Sequence, residues 1–249
     1  MSKTVFSEKA SEYKKGRLGY APEAIERIFS SLVQPGESVA DIGSGTGILS
    51  QEFLARGIDV YCVEPDDNMR NVAEKNFNDN KYFHSIAARA ENTGLPNDSI
   101  SLITAASSFH WFDHMAFRNE CLRILRREGV VCIMINARLY DNELTKNQHK
   151  LCTDFCPRYK SLCHGFDETD MRISDFFGHK PEHEEYTYSL NYTEEEFLAR
   201  SLSSSYSLIP GDNRYLLYVE KLQKLITDNL LNGKICVQNK THLFYGKMS

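Results

Sequence analysis

The sequence predicts an α/β fold, built as a seven-stranded, mostly parallel sheet with helices on both faces and a small helical lid. Between residues 38 and 137, short runs of β-branched residues alternate with helical patterns, as in consecutive strand–helix–strand units. A glycine-rich bend follows the first run, and two more alternating segments lie near the C-terminus. The 249 residues suffice for one such domain with a small elaboration.

The first strand–helix unit is the most distinctive. We expect a strand at 38–42, ended by the glycine-rich run 43–47. In the helix that follows, Leu49 and Phe53 lie one turn apart on one face, and Gly57 is placed to end it.

The same pattern repeats through the rest of this region. A strand at 59–63 leads through the acidic turn 65–67 into a second helix, and acidic residues suit a first helical turn. Further strands are predicted at 82–87, 100–106 and 130–136, with a helix around Phe117, Cys121 and Ile124 before the last of them.

The C-terminal part has a different pattern. Residues 140–177 are polar, rich in Cys and His and helical without a partner strand, which predicts a lid. Strands are expected at 183–192 and 234–245, and helices at 194–203 and 215–231. The predicted organisation is one domain over 1–249, with a ligand-binding core at 36–138, lid elements at 1–22 and 139–180, and elements at 183–246 that complete the sheet.

Charge and hydropathy limit the classes of partner. The net charge of −5 gives no positive field for a phosphate backbone, so we expect no nucleic-acid partner. Apolar runs such as 130–135 are too short for a bilayer, and the N-terminal residues lack the apolar core of a signal peptide. We therefore expect a cytoplasmic protein, without a membrane partner, that is a monomer or a homodimer.

The seven cysteines favour reduced thiols over a disulfide framework, because their number is odd and no export signal is present. Cys152, Cys156, Cys163 and His164 form a local cluster. Their C-x3-C and C-x6-C spacings lack the paired C-x2-C knuckles of a closed zinc site. Thiols buried in a helix are the alternative to metal ligands, and we expect no metal here.

Two acidic residues accompany the glycine-rich bend. Asp41 precedes Gly43, Gly45 and Gly47, and Glu64 ends the next strand, 23 positions after Asp41. Ligands of open parallel sheets bind beyond the carboxyl ends of the strands, so both acids are predicted to face one ligand. Glycines allow close backbone approach, and an acid at the second strand end accepts the hydroxyls of a ribose.

The spacing of the bend separates it from a dinucleotide site. Nicotinamide and flavin sites use G-x-G-x-x-G, whereas Ile48 occupies the final glycine position here. Asp41 would repel a pyrophosphate but attract the ammonium group of an amino acid. A lone bend of this kind is also typical of a simple strand-to-helix turn, so the neighbouring segments decide between the two interpretations.

Those segments carry a family resemblance. The runs VADIGSGTGILS, VYCVEPDDNM, AARAENTGLP, LITAASSFHWFD and RILRREGVVCIMI resemble, in order and spacing, the class I S-adenosylmethionine-dependent methyltransferases with a Rossmann-like fold. The match covers residues 38–137. The aromatic run 109–112, with Tyr13, Arg17, Tyr20 and Pro22, is similar to a small-molecule branch that includes trans-aconitate-type carboxyl methyltransferases.

The resemblance implies S-adenosylmethionine as cofactor and S-adenosylhomocysteine as product. Asp41 and the bend would hold its amino-acid end, and Glu64 its ribose. Arg89 departs from the small or acidic residue that often accepts the adenine amino group, which leaves that contact to the backbone of Ala90. The cofactor-binding residues implied in this way are Tyr13, Arg17, Asp41, Gly43, Ser44, Gly45, Gly47, Glu64, Pro65, Asp66, Met69, Ala90, Glu91, Ser107 and Ser108.

Fewer residues are candidates for catalysis and substrate binding. Methyl transfer is a direct displacement, so orientation alone can suffice and a base is optional. His110 is the candidate base, with a packed wall residue as its alternative, and Trp111 is either an aromatic floor for the substrate or core packing. Arg138 and Arg214 are candidates for pairing with an acidic substrate, against the alternative of solvated surface arginines.

The resulting hypothesis is an enzyme that methylates a small molecule, with a carboxylate group as the candidate acceptor. A non-catalytic scaffold or sensor that binds the cofactor is one alternative, and a methyltransferase acting on a macromolecule is another. A nicotinamide oxidoreductase is opposed by the missing last glycine. No basic stripe or base-flipping tetrapeptide follows the fourth strand to favour nucleic acid.

Overall fold

The fold is described from a computed structural model that covers residues 19–140, 142–162 and 171–248. Its sheet has seven strands in the order β3-β2-β1-β4-β5-β7-β6. The strands are β1 (Ser38–Ile42), β2 (Asp59–Val63), β3 (Phe83–Ile86), β4 (Ile100–Ala106), β5 (Leu125–Arg138), β6 (Glu182–Tyr192) and β7 (Ile235–Gly246). The predicted α/β class and the seven-stranded, Rossmann-like sheet are confirmed.

Eight α-helices connect these strands in the described ranges. They are α1 (Pro22–Ser31), α2 (Ser50–Leu54), α3 (Asp67–Phe77), α4 (His114–Ile124), α5 (Glu143–Phe155), α6 (Met171–Phe177), α7 (Glu194–Leu202) and α8 (Tyr215–Asp228). A single 3-10 turn, Phe109–Trp111, follows β4. None of the described helices is both long and apolar enough to span a bilayer.

The first five strands form parallel pairs. β1 pairs with β2 on one side and with β4 on the other, and Asp41 lies opposite Cys62 and Thr104 in the two registers. β1 and β4 are almost wholly buried, as expected for parallel strands covered on both faces. Their carboxyl ends therefore lie side by side at one edge of the sheet.

The fifth strand is longer than predicted. It begins at Leu125, five residues before the expected start, and the register with β4 shifts between Ile100 and Leu102. The residues at 126–128 are charged and exposed, so the irregular start carries no alternating or apolar signal.

The last two strands run antiparallel. His183 contacts His242, and Ser189 contacts Gln238, so residue numbers rise along β6 as they fall along β7. β6 is the edge strand and pairs with β7 alone. The predicted C-terminal strands at 183–192 and 234–245 are therefore present and complete the sheet.

The chain divides into two compact units. The first holds residues 19–135 with the described parts of 168–186 and 241–249, and its core surrounds β1 and β4. The second holds the described parts of 136–167 and 187–240, and its core includes Leu144, Cys152, Tyr192, Phe197, Tyr218 and Leu222. The single domain with a lid remains a prediction.

Candidate active site

The glycine-rich bend leaves β1 in a conformation that requires glycine. Gly43, Gly45 and Gly47 have φ values of +67°, +59° and +84°, in the left-handed region that disfavours residues with a Cβ. The Gly43 and Ser44 N–H groups donate to the Val63 carbonyl over 2.8 and 3.2 Å. These hydrogen bonds fix the bend against the end of β2.

Close packing explains two of these glycines further. A Cβ on Gly43 would lie 2.6 Å from the Ser108 Cβ, and one on Gly47 would lie 2.6 Å from the Phe77 ring. Both distances are far inside van der Waals contact. A Cβ on Gly45 would meet nothing within 4 Å. Gly45 thus has open space beside it, which would allow a ligand to approach its backbone.

Asp41, the last residue but one of β1, is almost completely buried at 1% exposure. The Ser50 hydroxyl donates to its Oδ2 over 2.6 Å, and the Thr104 hydroxyl donates to its Oδ1 over 2.9 Å. Burial raises the pKa of Asp41 above its usual value, and the two hydroxyls oppose that rise. Because both hydroxyl donors are neutral, a cation beside this carboxylate would favour its ionised form.

Glu64, at the end of β2, is folded onto the bend. Its Oε2 accepts the Gly45 N–H over 2.9 Å, and its Oε1 accepts the Asp66 N–H over 2.8 Å. Burial raises the pKa of Glu64, against the effect of these two hydrogen bonds. A carboxylate has about four lone-pair positions, so Glu64 retains acceptor capacity for the hydroxyls of a ligand.

Hydroxyl groups on the bend are also available for a ligand. Ser44 Oγ and Thr46 Oγ1 are buried and have no hydrogen-bond partner among the described residues. Buried polar groups are normally satisfied. A polar group bound at the bend would supply the missing partners, so the residues present fit the amino-acid and ribose groups of S-adenosylmethionine.

The residues after Glu64 differ in what they contact. Pro65 is exposed, whereas Met69 is buried. The Asp66 carboxylate caps α3 by accepting the N–H groups of Asn68 and Met69, each over 3.0 Å. Asp66 thus has a clear local function, and its contact with adenine remains a prediction.

The segment after β3 has an internal ion pair. The Glu91 carboxylate accepts the Asp113 N–H over 3.0 Å and the Arg89 Nε–H over 3.1 Å. Burial favours a higher pKa, but these two donors hold the pKa of Glu91 below its usual value. Arg89 therefore orients Glu91, and Ala90 between them is buried.

Residues after β4 brace the bend. Ser107 adopts a φ of +55°, rare for a residue with a Cβ, and its N–H donates to the Met134 carbonyl over 2.8 Å. Ser108 donates its hydroxyl to the Ile42 carbonyl over 2.7 Å. The next turn carries His110, which is exposed, and Trp111, which is half-buried, with ring centroids 4.9 Å apart.

Two predicted substrate arginines differ in exposure. Arg138 is only 5% exposed, so its interpretation as a solvated surface arginine is wrong. Its guanidinium donates to the Gln148 side chain. Arg214 donates to the Asp154 carbonyl over 2.9 Å and lies 4.1 Å from the Phe155 ring centroid. Arg214 therefore contacts the C-terminal end of α5, where a cation is favourable.

Several expected residues lie outside the described ranges. Tyr13 and Arg17 are among them, as are Cys163 and His164 of the cysteine cluster. Cys152 and Cys156 are buried in the core of the second unit, in agreement with the interpretation as buried thiols.

Sequence reasoning missed Ser50 and Thr104, the two donors to Asp41. Ser50 looks like an ordinary first residue of a helix, and Thr104 an ordinary strand residue. The only available signal was the alignment of two predicted parallel strands, which sets Thr104 opposite Asp41.

Comparison with known proteins agrees with this geometry. Residues 40–133 match a family described as a methyltransferase domain. An uncharacterized methyltransferase of Mycobacterium tuberculosis is 29% identical over 133 residues, 53% of this chain and 52% of its own length. A putative methyltransferase of Dictyostelium discoideum is 32% identical over 128 residues, 51% of this chain and 47% of its own. The chain spans about half the length of the curated relatives it matches.

The fold has relatives over nearly its whole length. A putative methyltransferase from an antibiotic biosynthesis pathway of Anabaena variabilis superposes with a TM-score of 0.64 at 20% identity, covering 93% of this chain and 99% of that one. At this identity the likeness concerns the fold, whereas the family match concerns residues 40–133. Residues 40–133 are thus similar to a methyltransferase domain, and the fold is that of a methyltransferase over nearly the whole chain.

Proposed function

We propose that this chain binds S-adenosylmethionine and transfers its methyl group to a small-molecule acceptor. The observation that supports this most strongly is the buried Asp41, held by two neutral hydroxyls beside a glycine bend. A carboxylate in that setting favours a cationic ligand over an anionic one. The ammonium group of the methionine moiety meets that requirement, and a pyrophosphate does not.

The other cofactor contacts follow from the bend. Glu64 would accept the ribose hydroxyls with its remaining lone pairs. Gly45, which has open space beside it, would let the ligand approach, while Gly43 and Gly47 shape the bend. Ser44, with its buried hydroxyl, would contact the amino-acid end. The adenine ring would lie near Pro65, Asp66, Met69 and Ala90, and Ser107 and Ser108 would pass under the methionine portion.

The mechanism needs orientation more than proton transfer. Bound S-adenosylmethionine supplies an electrophilic methyl group on a positively charged sulfur. Holding the acceptor in line with that methyl group can contribute about 7–11 kcal/mol. His110, which is exposed and lies two positions after Ser108, is the candidate to take a proton when the acceptor is a hydroxyl or an amine. A carboxylate acceptor needs no base.

A carboxylate acceptor is favoured by a buried arginine that has a second, half-buried arginine near it. The Arg138 guanidinium is 5% exposed, and burial together with the nearby charge of Arg200 lowers the pKa of Arg138 to about 10. A second positive charge near a buried one is costly, and an anion beside them would offset that cost. Arg138 is therefore the candidate for acidic acceptor recognition, Trp111 for an aromatic contact, and Arg214 for an accessory contact.

Calorimetry with S-adenosylhomocysteine tests cofactor binding. We expect Asp41→Asn and Glu64→Gln to weaken binding at least about tenfold, since each removes a charged or charge-assisted contact of about 1.5–3 kcal/mol. Glu52→Gln, a change of the same type in the surface pair of Glu52 with Arg56, is the matched control. Equal affinities for wild type and both acid variants would contradict the site.

A labelled methyl donor offered with a panel of acidic and neutral metabolites tests the transfer. Turnover on acids, reduced in Arg138→Met without loss of S-adenosylhomocysteine binding, would support the carboxylate acceptor. Cofactor binding without turnover on any acceptor would favour the scaffold or sensor alternative. Transfer to protein or nucleic acid in an extract would favour a macromolecular acceptor. The closer likeness to trans-aconitate-type enzymes is tested by the same panel.

A further inference from the structure

Three potential metal ligands converge where the last two strands pair. His183 and Glu185 are two positions apart on one face of β6, and His242 comes from β7. His183 Nε2 lies 3.1 Å from His242 Nδ1 and 4.0 Å from Glu185 Oε1, and the last two atoms are 3.8 Å apart. Two imidazole nitrogens and one carboxylate oxygen therefore share one small volume.

The size of this triangle matches a metal ion. A circle through three atoms separated by 3.1, 3.8 and 4.0 Å has a radius of about 2.1 Å, the length of Zn–N and Zn–O bonds. A dication near its centre would thus reach all three donor atoms without moving the backbone. Small rotations of the side chains would align their lone pairs.

The donor groups are held in place by packing. The His183 ring stacks on Phe244, with centroids 4.1 Å apart and planes within 6°, and His242 is only 1% exposed. The side chain of Glu185 is 35% exposed, so an ion can reach it from solvent. Two fixed imidazoles and one accessible carboxylate reduce the entropy cost of binding.

We propose that His183, Glu185 and His242 bind a zinc-type dication, with water as a fourth ligand, and that this ion links edge strand β6 to β7. An N2O donor set suits zinc and related transition metals rather than Mg²⁺ or Ca²⁺. In the metal-free protein the two imidazoles share a hydrogen bond, so one of the facing nitrogens carries a proton. Coordination needs both facing lone pairs, so the ring that carries this proton would move it to its other nitrogen when the ion binds.

Zinc titration of the untagged, metal-free full chain tests this proposal. All measurements use a Cys236→Ser background, because Cys236 is an exposed thiol on β7 and a competing ligand. Competition with a chromophoric chelator should give one equivalent of bound zinc and a raised thermal midpoint. We expect His183→Asn and Glu185→Gln each to lower zinc affinity at least about tenfold, since even changes behind a metal ligand cost 10–100-fold.

Glu182→Gln removes an exposed carboxylate at the start of β6 and is the matched control, expected to leave affinity unchanged. Circular dichroism verifies that each variant is folded. Absorption of the wild type with Co²⁺ gives a second readout, because a four-coordinate site absorbs visible light far more strongly than hydrated Co²⁺. Absence of zinc binding, or equal affinity in the wild type and both ligand variants, would overturn the proposal.

Discussion

Replacing Thr104 by Val tests how Asp41 is kept ionised. Valine keeps the shape of the threonine but removes the hydroxyl that donates to Asp41 Oδ1 over 2.9 Å. A hydrogen bond to a charged group contributes about 1.5–3 kcal/mol, and one pKa unit corresponds to about 1.4 kcal/mol. Loss of this donor should therefore raise the already elevated pKa of Asp41 by about 1–2 units.

The sign of the effect on binding follows from the charge of the ligand. Only ionised Asp41 attracts the ammonium group, so affinity for S-adenosylhomocysteine should fall as the pH is lowered through the pKa of Asp41. In Thr104→Val that fall should occur about 1–2 pH units higher than in the wild type. Calorimetry at a series of pH values measures both midpoints.

Thr241→Val is the matched control, because it removes another buried threonine hydroxyl, which accepts the Ala21 N–H over 3.0 Å. It should cost stability without moving the pH midpoint of binding. An unshifted midpoint in Thr104→Val, with the protein folded, would refute the reasoning. So would an unchanged pH dependence in Asp41→Asn, because another group would then be the one that titrates.

Three further substitutions test stability by denaturant unfolding. Gly47→Ala should lower the free energy of unfolding by about 1–3 kcal/mol, since the new Cβ meets Phe77 at 2.6 Å and φ is +84°; wild-type stability would contradict the predicted strain. Glu120→Gln should cost about 1–3 kcal/mol at neutral pH, because Glu120 is buried and paired with Arg123. These contacts hold the pKa of Glu120 below its usual value, against the effect of burial. The stabilisation that Glu120 gives is therefore present above its unfolded-state pKa and lost as pH falls through its folded-state pKa. A stability difference between Glu120→Gln and the wild type that grows on acidification would contradict this. Thr193→Ala removes the capping box of α7 and should cost about 0.5–2 kcal/mol, whereas an unchanged midpoint would show that the cap contributes nothing.

The sheet was predictable because its signals are local. A glycine bend, an acidic residue after the next strand and alternating β-branched runs each occupy a few consecutive positions. The strand boundaries agree within about two residues except in β5, where charged residues at 126–128 precede the apolar run. Interactions that join distant positions were not predictable in this way. Thr104 is 63 positions from Asp41 and meets it only through the strand register.

The candidate site shows the same division. The bend and Glu64 follow from spacing, whereas the burial of Arg138 follows from packing in the core of the second unit. The triangle of His183, Glu185 and His242 depends on antiparallel pairing between the last two strands. An isolated H-x-E in a strand pattern carries no signal for such a site, because the third ligand comes from a segment 59 residues away.

The hydrogen bonds within the glycine bend bear on selectivity against dinucleotides. The amides of Gly43 and Ser44 are engaged by the Val63 carbonyl, that of Gly45 by the Glu64 carboxylate, and that of Gly47 by the Ser44 carbonyl over 3.0 Å. A dinucleotide phosphate normally draws its stabilisation from such amides. Here a phosphate would have to displace bonds already formed, including one to a carboxylate that repels it. The hydrogen bonds of the glycine bend therefore discriminate between cofactors before any ligand binds. Replacing Ile48 by glycine should not by itself create a nicotinamide site.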